Sequence, residues 1–266
     1  MLVPLGMTLW FSLQRYQLLA PQDRGFAGLR NYAYLISDPA LWTAMQNTLV
    51  LLGAVLAITV IMGLLLALLF SQNFAGQSVA RLLVIAPFFV MPTVSALVWK
   101  NMLMHPANGL FAYFGQLWGF PPIDWFGNWP MTSIIIIVSW QWIPFALLVF
   151  LTALQSVDPQ QKEAAQLDGA GSFAIFFHVT LPHLKRAIAM VIMIEMIFLL
   201  TIFAEIFVTT NGGPGLATTN LAFLIYIKAL LDFDIGVASA GGIIAIVLAN
   251  LVAIFLLRTV ANAMDD

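Results

Sequence analysis

The chain has 266 residues, 62% of them hydrophobic and only 8% charged, with a formal net charge of −2 and a mean hydropathy of +0.97. Soluble domains hold about 45–50% apolar residues, and ten basic with twelve acidic side chains cannot cover the surface of one. No basic stripe is present to meet nucleic-acid phosphates, and the absence of cysteine excludes disulfides, thiolate metal sites and cysteine nucleophiles. The composition predicts an all-α, polytopic membrane protein.

A lipid-spanning helix needs about 20 mostly apolar residues, and six segments qualify or come close. The first, MLVPLGMTLWFSL, is short and reaches across only if QRYQLL is added, with Arg15 snorkelling to the surface. No basic residue precedes it and no small-residue cleavage site follows, which argues against a signal peptide. The polar, aromatic stretch APQDRGFAGLRNYAYLISDPALW reads as interfacial. A second span is predicted over about 46–70, with Asn47 an isolated polar residue at its start. A third covers about 82–104, bent by Pro87 and Pro92. The following HPANGLFAYFGQLWGFPPIDWFGNWP reads as a structured interfacial loop with a short amphipathic piece.

The fourth span, about 131–154, carries Trp140, Gln141 and Trp142 about ten residues in. Aromatic faces beside an amide suit a carbohydrate path, and they equally suit helix anchoring. The fifth covers about 187–208 and holds two carboxylates. Ionisable groups in a span are costly and face the bundle interior or a wet cavity. On one continuous helix, Glu195 and Glu205 would point about 80° apart and lie about 15 Å apart along the axis. Both fit solute hydroxyl recognition or gating, and both fit a hydrogen bond to a partner subunit. NGGPGLATT is a turn with no phosphate-binding lysine, NLAFLIYIKALLDFD a short interfacial helix, and about 235–257 the sixth span. Lysine and arginine do not orient the chain, since the loops on each side carry five.

Between the fourth and fifth spans, Asp158, Lys162, Glu163 and Asp168 crowd into about three helical turns. Asp158-Pro159 is a helix start, an N-cap followed by a proline pre-set for the first helical position. QQKEAAQLD continues the helix and Gly169 permits a sharp turn. A second helix then runs from near Ser172 to Leu181-Pro182, with Phe173, Phe176 and Phe177 on one face. Ala164 and Ala165 leave a smooth surface onto which another protein can dock.

Glu163-Ala164-Ala165, then Gly169, then nine residues to Val179 and Leu181-Pro182, resemble the EAA signature of binding-protein-dependent ABC importer permeases. Asp168 before the glycine is common in that family. NYAYLISDPALWTAMQNTLV and TTNGGPGLATTNLAFLIYIKAL are similar to segments of its sugar-type members. FAEIFVTTNGGPG and FFVMPTVSALVWKNMLMHPANG resemble the sorbitol and mannitol permeases most. The chain departs from the family at its N-terminus, where members usually carry a basic cytoplasmic arm.

The resemblance implies one transmembrane domain over 1–266, with a cytoplasmic coupling loop at about 156–185 seated in a separate ATPase. Glu163, Ala164, Ala165, Asp168, Gly169, Leu181 and Pro182 would make that contact. Glu205, Glu195, Trp140, Gln141, Trp142 and Asn47 are candidates for the solute path. The implied partners are a second homologous permease, an ATPase homodimer that binds ATP and magnesium, and a periplasmic solute-binding protein, all at a bacterial inner membrane. The chain itself has no P-loop and is expected to be no enzyme and to hold no cofactor or metal. A disaccharide or glycerol derivative is the alternative solute. An ion-coupled secondary transporter is the alternative from another class, though it gives the 160–182 segment no task.

Overall fold

The structure is a computed structural model and describes residues 2–265. It is helical almost throughout. Helix α1 (Leu2–Ser12) is followed by a two-stranded antiparallel hairpin, β1 (Gln14–Arg15) against β2 (Gly25–Phe26), and then by α2 (Arg30–Ser37) and α3 (Pro39–Phe70). Next come α4 (Gln77–Ile85), α5 (Pro92–Val98), α6 (Leu110–Leu117), α7 (Trp125–Asn128) and α8 (Pro130–Gln155). The order closes with α9 (Pro159–Leu167), α10 (Ser172–Ile175), α11 (Leu181–Leu199), α12 (Ala204–Thr209), α13 (Leu221–Tyr226) and α14 (Ile235–Asp265).

Among the described residues, three helices are long and apolar enough to cross a membrane: α3, α8 and residues 235–256 of α14. The pair Gln77–Phe89 and Pro92–Leu103, bent by 110°, is apolar enough to make a fourth crossing if it acts as one broken span rather than a re-entrant loop. The two prolines that predicted a bend produce a break, because Val90 leaves the helical region at ψ 131°. Helix α11 has 19 residues but includes Lys185, Arg186 and Glu195.

The first segment does not continue through QRYQLL as a helix. At 11 residues, α1 is about 16 Å long, half the hydrocarbon thickness. Asn31 Nδ2 donates to the carbonyls of Ser12 and Gln14, both at 2.8 Å, and Tyr16 O accepts from Ile235 and Gly236. The carbonyls a continuing helix would use are taken by groups distant in sequence.

The chain divides into two compact units. The first holds residues 1–53, 92–137 and 199–252, with a core of Leu35, Leu41, Ala44, Leu221, Leu224 and Val237. The second holds residues 54–91, 138–198 and 253–266, with a core that includes Phe70, Leu147, Phe150, Leu184 and Val191. In it α3 and α8 cross closely enough that a Cβ on Gly63 would lie 2.6 Å from that of Ala146. Only glycine permits that approach.

Candidate functional site

The polar segment after α8 folds as a capped helix and a tight turn. Asp158 Oδ1 accepts from the Gln160 N–H at 2.9 Å, and Pro159 occupies the first turn, where its missing N–H costs nothing. The far end of α9 closes on Gly169 at φ +84°. Ala170 N–H donates to Ala165 O and Gly169 N–H to Gln166 O, at 2.9 and 3.0 Å. These two bonds form a Schellman closure, which satisfies the last carbonyls and favours glycine at the left-handed position.

The second helix of the pair does not stop at Leu181-Pro182. Helix α10 passes through a π turn, Phe176–Thr180, directly into α11. Proline lacks an N–H and its ring crowds the carbonyl four residues back. The wider π turn, in which Leu181 N–H reaches Phe176 O, relieves that crowding and lets the helix continue.

One face of this arrangement is a cleft. Ala164 and Ala165 from α9 and Asp168 at its C-cap share it with Val179 and Pro182, and His178 and His183 stand beside them. Residues from both ends of the sequence motif therefore line one surface. Glu163, Ala164, Asp168 and Gly169 are exposed, and Leu181 is half-buried. Leu167 at 89%, Phe173 at 82% and Phe177 at 55% expose apolar side chains around the turn. Leu167 was not singled out from the sequence; its signal was an isolated leucine at the end of a polar helix. His183 Nε2 lies 2.9 Å from Ser156 Oγ, and no group of three or more metal-ligating side chains occurs among the described residues.

The candidate path residues have internal partners. Gln141 Nε2 donates to Val90 O at 2.7 Å, holding a carbonyl freed at the break before Pro92, while its Oε1 is buried without a partner. Trp142 packs its ring against Phe88, Phe145 and Phe198, and Trp140 is half-buried. Asn47 Nδ2 donates to Leu216 O and Thr219 O at 2.8 and 2.9 Å.

Glu195 and Glu205 do not share a helix. Helix α11 ends at Leu199, and Glu205 lies in the first turn of α12, so the 80° and 15 Å expected of one rod do not apply. The break has a visible cause. Asn220 Nδ2 donates to Ile202 O at 2.6 Å, and Phe203, at φ −142°, stacks on Phe207 and Phe223. Glu195 is fully buried; its Oε2 accepts from Thr59 Oγ1 at 2.6 Å and its Oε1 has no partner. Glu205 is buried at the start of a short helix whose C-terminal carbonyls, Val208 and Thr209, accept from Lys100 Nζ.

Residues 50–266 match the family described as the binding-protein-dependent transport system inner membrane component. The chain belongs to that family. Among its relatives, the probable ABC transporter permease protein y4oQ of Sinorhizobium fredii is 34% identical over 240 residues, covering 90% of this chain and 77% of that protein. The trehalose/maltose transport system permease protein MalF of Thermococcus litoralis is 33% identical over 250 residues, covering 93% and 83%. A bacterial ABC transporter involved in the import of the acidic polysaccharide alginate has a chain that superposes with a TM-score of 0.80. That likeness covers 97% of this permease and 89% of that chain at 23% identity, and it shows the shared fold. Membership accounts for the capped pair as part of a transport protein's inner-membrane component, and it leaves the secondary-transporter alternative without support.

Proposed function

We propose that this chain is one transmembrane subunit of an ATP-driven ABC importer that moves a carbohydrate across a bacterial inner membrane by alternating access. The observation that carries the proposal is the exposed α9–α10 turn: a rigidly closed helix pair with Ala164 and Ala165 in an open cleft and Leu167 and Phe173 bare around it. Apolar side chains this exposed, rimmed by polar residues, mark a contact with another protein. The partner in this reading is a separate ATPase homodimer, which binds ATP and magnesium and presses on the turn from the cytoplasm. Glu163, Ala164, Ala165, Asp168, Gly169, Leu181 and Pro182 form or support that contact. A second permease and a periplasmic binding protein complete the assembly.

The solute class follows from two supports of equal weight. The segments at 88–109 and 203–215 are similar to those of sorbitol and mannitol permeases, and the relative from Thermococcus litoralis is named for trehalose and maltose. Trp142 and its aromatic neighbours offer ring faces of the kind sugars stack on. Asn47 and Gln141 act in this reading as ties within the fold, since their amide nitrogens already donate to backbone carbonyls.

The test is uptake of labelled sorbitol, mannitol, trehalose and maltose in cells carrying the whole system, wild type against Gly169→Pro. Proline cannot adopt φ +84°, so the turn is lost while the spans remain. Abolished uptake with normal membrane abundance is the expected result. Unchanged uptake would remove the coupling role, and the solute that is accumulated decides between a polyol and a disaccharide.

A further inference from the structure

A groove that adjoins the α9–α10 cleft, sharing Pro182 and His183 with it, runs between the C-terminal half of α8 and the N-terminal half of α11, with a volume of about 1080 Å³. Phe145, Leu148 and Val149 form its wall on α8, and Ala187 and Met190 its wall on α11. From Phe145 to Ser156 the α8 side runs about 16 Å, close to half of a hydrocarbon core about 30 Å thick. Its length is that of one bilayer leaflet.

The end of the groove next to the α9 turn differs in chemistry. His183, Lys185 and Arg186 line it, and no carboxylate does. Among the described residues, neither Lys185 nor Arg186 makes an ion pair or a side-chain hydrogen bond, whereas Lys228 is paired with Asp38 and Asp232. The hydroxyls at this end are already engaged: Thr152 donates to Leu148 O, and Ser156 to Ala153 O. Two free cations at the foot of an apolar slot ask for a ligand with an anionic head and apolar tails.

We propose that this groove binds an anionic phospholipid of the cytoplasmic leaflet, its phosphate held by Lys185 and Arg186 and its acyl chains lying along α8 and α11. The leaflet assignment rests on the proposed cytoplasmic position of the α9–α10 turn. Basic pockets between transmembrane helices on the cytoplasmic side hold such head groups. Charge complementarity favours lipid over a helix of the second permease, which would bring no obligatory anion to this end.

The experiment uses the assembled importer, purified in mild detergent and titrated with phosphatidylglycerol or phosphatidylcholine before native mass spectrometry. Wild type should retain phosphatidylglycerol preferentially. Lys185→Ala with Arg186→Ala should reduce that preference about tenfold or more, and Arg24→Ala, at an exposed position elsewhere, should leave it intact. Equal preference in the double variant overturns the proposal. So does lipid bound to this chain alone but absent from the assembled importer, which would identify the groove as covered by the second permease. A preference that follows Lys185 and Arg186 while Gly169→Pro leaves uptake unchanged keeps the lipid site and discards the coupling role.

Discussion

The segment from Ile202 to Asn220 and the segment from Asp158 to Thr180 are both polar for this chain, and they spend their polar groups in opposite ways. In the first, Thr218, Thr219 and Asn220 are at most 1% exposed. Their side chains bond to Thr210 Oγ1, to the carbonyls of Gly213, Gly212 and Ile202, and to the Phe223 N–H. Asn47 reaches in from α3 to take two more carbonyls. In the second segment the two ends of α9 are tied, by Asp158 and by the turn at Gly169, and His178 Nδ1 lies 2.9 Å from Ala174 O. Glu163 and Asp168 stay exposed, and Leu167 is bare. Polar residues with internal partners hold a fold together, and polar residues kept in the open beside bare apolar ones are kept for something outside it.

That contrast can be broken by substitution. Asn220→Ala removes both the partner of Ile202 O and the cap of Phe223 N–H at a buried site, a loss of about 2–4 kcal/mol. The melting temperature of the purified protein in detergent should fall by several degrees; an unchanged value would show that the 202–220 segment is not held by its polar groups. Asn47→Ala leaves two carbonyls to find other donors at a half-buried site, and should cost about 1–2 kcal/mol by the same measurement. Leu167→Ser should change stability by less than about 0.5 kcal/mol, yet lower uptake by the assembled system about tenfold or more. A lower melting temperature in that variant would mean the exposed turn contributes to the fold after all.

Local chemistry was legible wherever it acts over a few residues. Asp158-Pro159 and Gly169 predicted both ends of α9, and the apolar run at 131–154 became α8 within one residue at either end. Pro87 and Pro92 announced a bend but not its size, because the 110° angle depends on what receives the freed carbonyls, and Gln141 is 51 residues from Val90. The break after Leu199 had no local signal. Leu200, Thr201, Ile202 and Phe203 include neither glycine nor proline, and the group that claims Ile202 O is 18 residues ahead. The same holds for α1, which the side chain of Asn31 brings to an end. Of the candidate site, the motif residues were picked out by their resemblance to a family signature. Their convergence on one cleft was not, since it needs the π turn that swings Val179 and Pro182 beside Ala164.

That π turn has a mechanical consequence. Because it joins α10 to α11 without an intervening loop, residues 172–199 form one unbroken lever, about 42 Å long. Its short arm begins three residues after Gly169. A rotation of about 10° imposed there would carry the far tip about 7 Å sideways on a rod of that length. No slack lies in between to absorb the stroke.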